Sequence, residues 1–101
     1  MDKARIYVDF NEMVAENIVL LSKENSKIDS LGNLIEFYEG MPVSVYSNDK
    51  NINGEIDNII AQGIAIKYDL SNFAYWSHTK WCCKIDEGSI RHESELQSEM
   101  P

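Results

Sequence analysis

The sequence predicts a mainly β fold, a small antiparallel barrel or rolled sheet of five to six short strands, and three observations carry that prediction. In the strongest apolar runs, as in Ile59 to Tyr68 and Lys80 to Asp86, side chains alternate at the period of a strand. Turn formers punctuate those runs at short intervals, at Gly40, Pro42, the Asn48 to Asp57 cluster and Glu87-Gly88. A chain of 101 residues, 44% of them apolar, suits one domain with one core. The geometry expected is SH3-like or OB-like, which describes shape and leaves function open.

Taken in order, Arg5 to Phe10 alternates polar and apolar positions except at Tyr7, placing Ile6, Val8 and Phe10 on one face of a strand. Asn11 to Leu21 reads two ways. Val14, Ile18 and Leu21 repeat at helical spacing, whereas Ile18-Val19-Leu20-Leu21 alone suits a buried strand. The favoured reading is a short helical turn near Asn11 to Glu16, with Asn11 as its N-cap, followed by a strand. Asp29-Ser30-Leu31-Gly32-Asn33 should reverse the chain before the short apolar run Leu34 to Tyr38.

The organising stretch is Gly40 to Asp69, read as one long hairpin. Pro42 opens its first strand, where a missing N–H matters least, and Val43 and Val45 share a face. In its second strand Ile60, Ile64, Ile66 and Tyr68 are expected to face the core. Ala61, Gly63, Ala65 and Lys67 lie opposite, where small residues imply a bend or close backbone approach. Asp69 to Thr79 is an aromatic-rich connection. Beyond it, Lys80 to Asp86 alternates if Trp81, Cys83 and Ile85 point inward, leaving Cys82 outward as an exposed thiol between Lys80 and Lys84. Ser89 to His92 can pair back as a last short strand. The domain is expected to span residues 1–92, with 93–101 a flexible acidic tail.

Nine basic against seventeen acidic residues give a net charge of −8, which opposes non-specific attachment to nucleic acid or anionic membrane and favours a basic partner. The two cysteines are adjacent, so a disulfide between them would be strained. The amino terminus lacks an apolar core of signal-peptide length, and the longest aliphatic run is too short to span a bilayer; a cytoplasmic location is expected.

Two surfaces are candidates for binding. Counted from Asp49, the polar loop places Asp49, Asn51, Asn53 and Asp57 at positions one, three, five and nine and Gly54 at six, the ordering of an EF-hand calcium loop. Ile60 stands at position twelve, where that loop needs its bidentate glutamate, and the flanks read as strands, so the loop is read as a long turn and no metal is assigned. Zinc on His78, Cys82, Cys83 and His92 is opposed by strand geometry, which sends neighbouring cysteines to opposite faces. The second surface is Phe73 to Lys84, which holds four aromatics and no acid. Tyr75, Trp76, His78, Lys80, Cys82 and Lys84 are its candidate ligand- or partner-binding residues, since rings interleaved with lysine suit base stacking or a peptide groove.

No catalytic motif and no cofactor signature is present in the sequence. The leading expectation is a non-enzymatic acidic interaction domain that binds a basic protein, of the inhibitor or immunity type by analogy of size and charge. The rival is a barrel that binds single-stranded nucleic acid or a small anionic ligand through Phe73 to Lys84. An edge-strand homodimer through the strand ending in His92 is a further expectation.

Overall fold

Nine short strands and one helix make up the described part of the chain, which in this computed structural model comprises residues 3–68 and 79–98, with 96–98 described by backbone alone. The strands are β1 (Ile6–Tyr7), β2 (Met13–Ala15), β3 (Ile18–Ser22), β4 (Ser26–Ile28), β5 (Leu34–Glu36), β6 (Pro42–Ser47), β7 (Ile59–Ile66), β8 (Trp81–Ile85) and β9 (Arg91–His92). The helix α1 is Glu93–Ser98. Seven strands form one curled sheet in the order β1-β6-β7-β8-β3-β2, with β9 also on β7, and β4 and β5 form a separate two-stranded hairpin. The result is an open half-barrel, the rolled mainly β form that the alternation predicts.

The hairpin of β6 and β7, within the stretch read as one in the sequence, is its spine. β6 and β7 pair antiparallel over six residues, Pro42 against Ile64 through Ser47 against Ile59, with Pro42 leading its strand. β8 adds antiparallel to β7 from Gly63–Ile85 to Ile66–Cys82, and β9 pairs with Ile59 and Ile60 further along the same edge. Between them the Asp86–Ser89 turn keeps that edge occupied. Asp86 N donates to the Gln62 carbonyl at 2.8 Å, and the Ser89 hydroxyl both accepts from Gln62 N at 3.2 Å and donates to Gln62 O at 3.0 Å.

The concave side holds the core: Ile6, Val8, Val19, Leu21, Phe37, Val43, Val45, Ala61, Ala65, Trp81, Cys83 and Ile85. This reverses the facing expected for β7. Ala61, Gly63 and Ala65 look into the core, and Ile64, Ile66 and Tyr68 are half-buried; Ile60 alone of the expected face is buried, at 5% exposure, outside the main core cluster. Curvature is the reason. β7 lies at the middle of the sheet, where the concave faces of its neighbours converge, and only small side chains leave room there for Val43, Val45, Trp81 and Ile85. Gly63 is the extreme case: a Cβ on it would overlap the Lys84 carbonyl oxygen and approach Cys83 Sγ to 2.8 Å.

The helical turn expected near Asn11 to Glu16 is absent. Asp9 makes an Asx-turn instead, its carboxylate accepting from Asn11 N at 2.9 Å, and Met13–Ala15 runs on as β2 against β3. Asn17, at φ 62°, supplies the left-handed residue of the reversal between Ala15 and Ile18. The single helix lies at the other end, where Glu93–Ser98 begins the stretch expected to be a tail; Ser94 N and Oγ donate to the Asp57 carboxylate at 3.0 and 2.8 Å.

Candidate functional site

The open side of the half-barrel is spanned by the β4–β5 hairpin, and local chemistry explains how the hairpin is built and held. Its five-residue connection, Asp29 to Asn33, is tied by the Asp29 carboxylate, which accepts from Leu31 N and Asn33 N at 2.9 Å each, while Gly32 takes φ 85°. Those amides, Asn33 first, hold the Asp29 carboxyl below its ordinary value, so the turn stays charged at neutral pH. The strands pair as Ser26–Glu36, Lys27–Ile35 and Ile28–Leu34.

Strand alternation then divides the hairpin into two faces. Lys27 and Ile35 face the barrel. Ile35 packs against the core, and the Lys27 ammonium donates to the carbonyls of Tyr7 at 2.6 Å and Leu21 at 3.0 Å. Tyr7 belongs to β1 and Leu21 to β3, so one side chain joins the two walls of the half-barrel across its gap. Burial pushes the Lys27 pKa below its ordinary value, because two carbonyl dipoles replace water only in part. Arg5 N donating to Ser30 Oγ at 2.9 Å and Ser30 N donating to Arg5 O at 2.7 Å fasten the tip of the hairpin to the residue before β1.

The other face points to solvent and is apolar. Ile28, Leu31 and Leu34 are 56%, 57% and 61% exposed, with Tyr38 equally open just beyond β5. Ile28 and Leu34 are direct cross-strand partners, so the exposure is one patch on a held hairpin, and contiguous exposed aliphatics of this kind mark interaction surfaces. Its polar surroundings are mostly acidic: Glu24, Glu36 and Glu39 are exposed and Asp29 is at the turn, against Lys23, because Lys27 is turned inward.

The polar loop behaves as a long, self-satisfied turn. Asn51 Oδ1 accepts from Asn53 N at 2.9 Å and from Glu55 N at 3.0 Å, Gly54 takes φ 80°, and Lys50 bridges to Ile56. Two of its would-be ligands are engaged by the carboxy-terminal elements. His92 Nε2 donates to Asp49 Oδ2 at 2.8 Å, and Asp57 accepts from Ser94. His92 Nδ1 lies 3.8 Å from Glu95, and the Asp49 hydrogen bond, chiefly, raises the His92 pKa above 6.5. Ser94 turns its hydroxyl to Asp57 and the imidazole turns to Asp49, so serine, histidine and acid form two separate pairs.

Of the six residues singled out in the sequence, Tyr75, Trp76 and His78 lie outside the described residues. Lys80 and Lys84 are exposed, as alternation requires. Cys82 is corrected: its side faces away from the core, yet the residue is 1% exposed, and burial pushes its thiol up to about 11. In the register it stands between Leu20 and Ile66, aliphatic neighbours that the lysines on either side do not displace. The β4–β5 face went unassigned although a signal for it exists. Ser26-Lys27-Ile28 and Leu34-Ile35-Glu36 flank a five-residue turn cluster, the pattern of a short hairpin.

Among the described residues no helix is long and apolar enough to cross a membrane, and no group of three or more His, Cys, Asp or Glu side chains is arranged to hold a metal ion. Fold and surface together define a small mainly β domain with one exposed apolar hairpin face. Compared with protein-family models, curated proteins and solved structures, the chain finds no match in any of the three.

Proposed function

We propose that this domain binds a basic protein surface through the outward face of the β4–β5 hairpin, without catalysing a reaction. The observation that carries the reading is the exposed Ile28–Leu34 pair with Leu31 beside it, on a hairpin fastened by Lys27 and Ser30. Aliphatic side chains held open to water on a fixed scaffold release apolar hydration when covered, about 25 cal/mol for each Å² removed from water. The acidic surroundings select the partner's charge. With a net charge of −8 on every copy, self-association through an acid-rimmed patch meets repulsion, whereas a cationic surface is steered toward it.

The test uses the whole chain and two substitutions, Ile28→Glu and Leu34→Glu, at exposed positions where folding should survive. Partners captured by the parent chain are compared with those captured by each variant, and the association rate is followed against salt. The expected result is a partner retained by the parent, lost by both variants, and associating more slowly as ionic strength rises. A partner bound equally well by all three chains removes the hairpin from the reading. A dimer in sedimentation that Leu34→Glu dissolves replaces the foreign partner with a second copy.

A further inference from the structure

On the convex face a cavity of about 210 Å³ is lined by Arg5, Ile60, Ala61, Gln62, Ser89 and Arg91. The strand register explains why these residues meet. Ile6 stands beside Val45, and Val45 beside Ala61, in a row that faces the core. One residue earlier in β1 and β6, and one later in β7, the next row holds Arg5, Ser44 and Gln62 on the opposite face, and Ser89 continues it by its bonds to Gln62. Arg91 enters from the far side, as the partner of Ile60 in β9.

Arg5 is the informative residue. It is 8% exposed, and among the described residues no carboxylate pairs with its guanidinium and no hydrogen bond is made by its side chain. Buried charges are ordinarily paired, since removing an ion from water without compensation is expensive. In a chain with seventeen acidic residues a partner for Arg5 was available by composition, yet among the described residues none meets its side chain; Arg91, which lines the same cavity, has a partner of its own. No buried side-chain nitrogen or oxygen of the described residues is wholly without a partner, so the Arg5 nitrogens that lack one keep access to solvent, and Arg5 lines the cavity. The Gln62 side chain is exposed at its rim.

We infer that this cavity is a binding site for a small oxyanion, a phosphate or carboxylate group, held by the Arg5 guanidinium with the Gln62 amide as a further donor and Arg91 in the cavity wall. Planar guanidinium forks match both oxyanions in bidentate geometry. The volume lies below the range of about 300–1,000 Å³ common for drug-sized ligands, which fits one anionic group with its waters. The net charge of −8 repels anions generally, so occupancy here is set by the Arg5 guanidinium against the field of the whole protein.

The test titrates inorganic phosphate and, separately, acetate into the full chain at constant ionic strength held with chloride. Arginine Nε–H, Gln62 amide and backbone signals are followed by NMR. Saturable shifts centred on Arg5, Arg91 and Gln62 are expected, with Arg5→Met weakening the binding at least tenfold and Gln62→Ala weakening it several-fold. Saturation by phosphate alone, by acetate alone or by both supports the site and identifies the oxyanion. Shifts that stay linear in concentration, that spread over all the basic residues, or that persist unchanged in the variants overturn it. If Arg5→Met does not fold, Gln62→Ala decides, because an exposed rim amide can be removed without disturbing the core.

Discussion

Replacing Gly63 by alanine isolates the contact on which the curl of the sheet depends. At most strand positions the change helps, because glycine in a strand interior is disfavoured by roughly 0.5–1 kcal/mol relative to alanine. Here the added methyl would overlap the Lys84 carbonyl oxygen and stand 2.8 Å from Cys83 Sγ, with Ile85 directly across the ladder. Neither obstacle can swing aside. The carbonyl belongs to β8, whose register with β7 runs from Gly63–Ile85 to Ile66–Cys82, and Cys83 is fully buried. Overpacking a core costs about 1–3 kcal/mol. Because backbone must move, we expect the upper half of that range, a net loss of about 2–3 kcal/mol. At about 4–8 °C per kcal/mol for a domain near this size, the melting temperature should fall by roughly 10–20 °C. Urea unfolding followed by tryptophan fluorescence measures the loss, with Gln62→Ala as the neighbouring control expected within about 0.5 kcal/mol of the parent. A Gly63→Ala chain as stable as the parent would refute the close approach of β7 and β8, and with it the explanation of why small residues face the core.

Three further outcomes follow from the same geometry. Lys27→Met should leave the Tyr7 and Leu21 carbonyls without their donor and reduce stability by about 1–3 kcal/mol, with hydrogen exchange speeding at Ser30 and Phe37 in the hairpin while β7 and β8 stay protected; uniform loss of protection would contradict its role as a local tie. His92 should titrate above 6.5 by NMR, and Asp49→Asn should bring it down. Since its folded pKa is raised, its stabilising contribution is whole below 6.5 and is lost as pH rises through the folded value; Asp49, with a lowered pKa, contributes above its ordinary 3.8 and loses that as pH falls. An unchanged His92 midpoint in Asp49→Asn would dissolve the pair. At pH 8 the Cys82 thiol, pushed up to about 11, is ionised in about one molecule in a thousand, so alkylation should be slow in the folded chain and rapid in urea; rapid labelling of the folded chain would restore it as an exposed thiol.

Alternation and turn chemistry by themselves determined the class of fold, the spine of β6 and β7, the inward facing of Trp81, Cys83 and Ile85, and the pairing of a last strand before His92. These are local properties: period two, and residues that tolerate a reversal, are legible in a short window. The reading of Asn11 to Glu16 as helical went astray for a related reason, since Val14, Ile18 and Leu21 keep helical spacing while the two residues Glu16-Asn17 turn the chain between paired strands. Tertiary structure alone decided what depends on curvature and on distant partners. A period of two leaves open which of its two faces is concave, and the concave centre of a curled sheet accepts Ala61, Gly63 and Ala65 where hydrophobicity favoured the isoleucines. Equally, no window of sequence brings Lys27 to Tyr7, His92 to Asp49, or Arg5 to the cavity it shares with Arg91, because each meeting joins segments far apart in the chain that only the fold brings together.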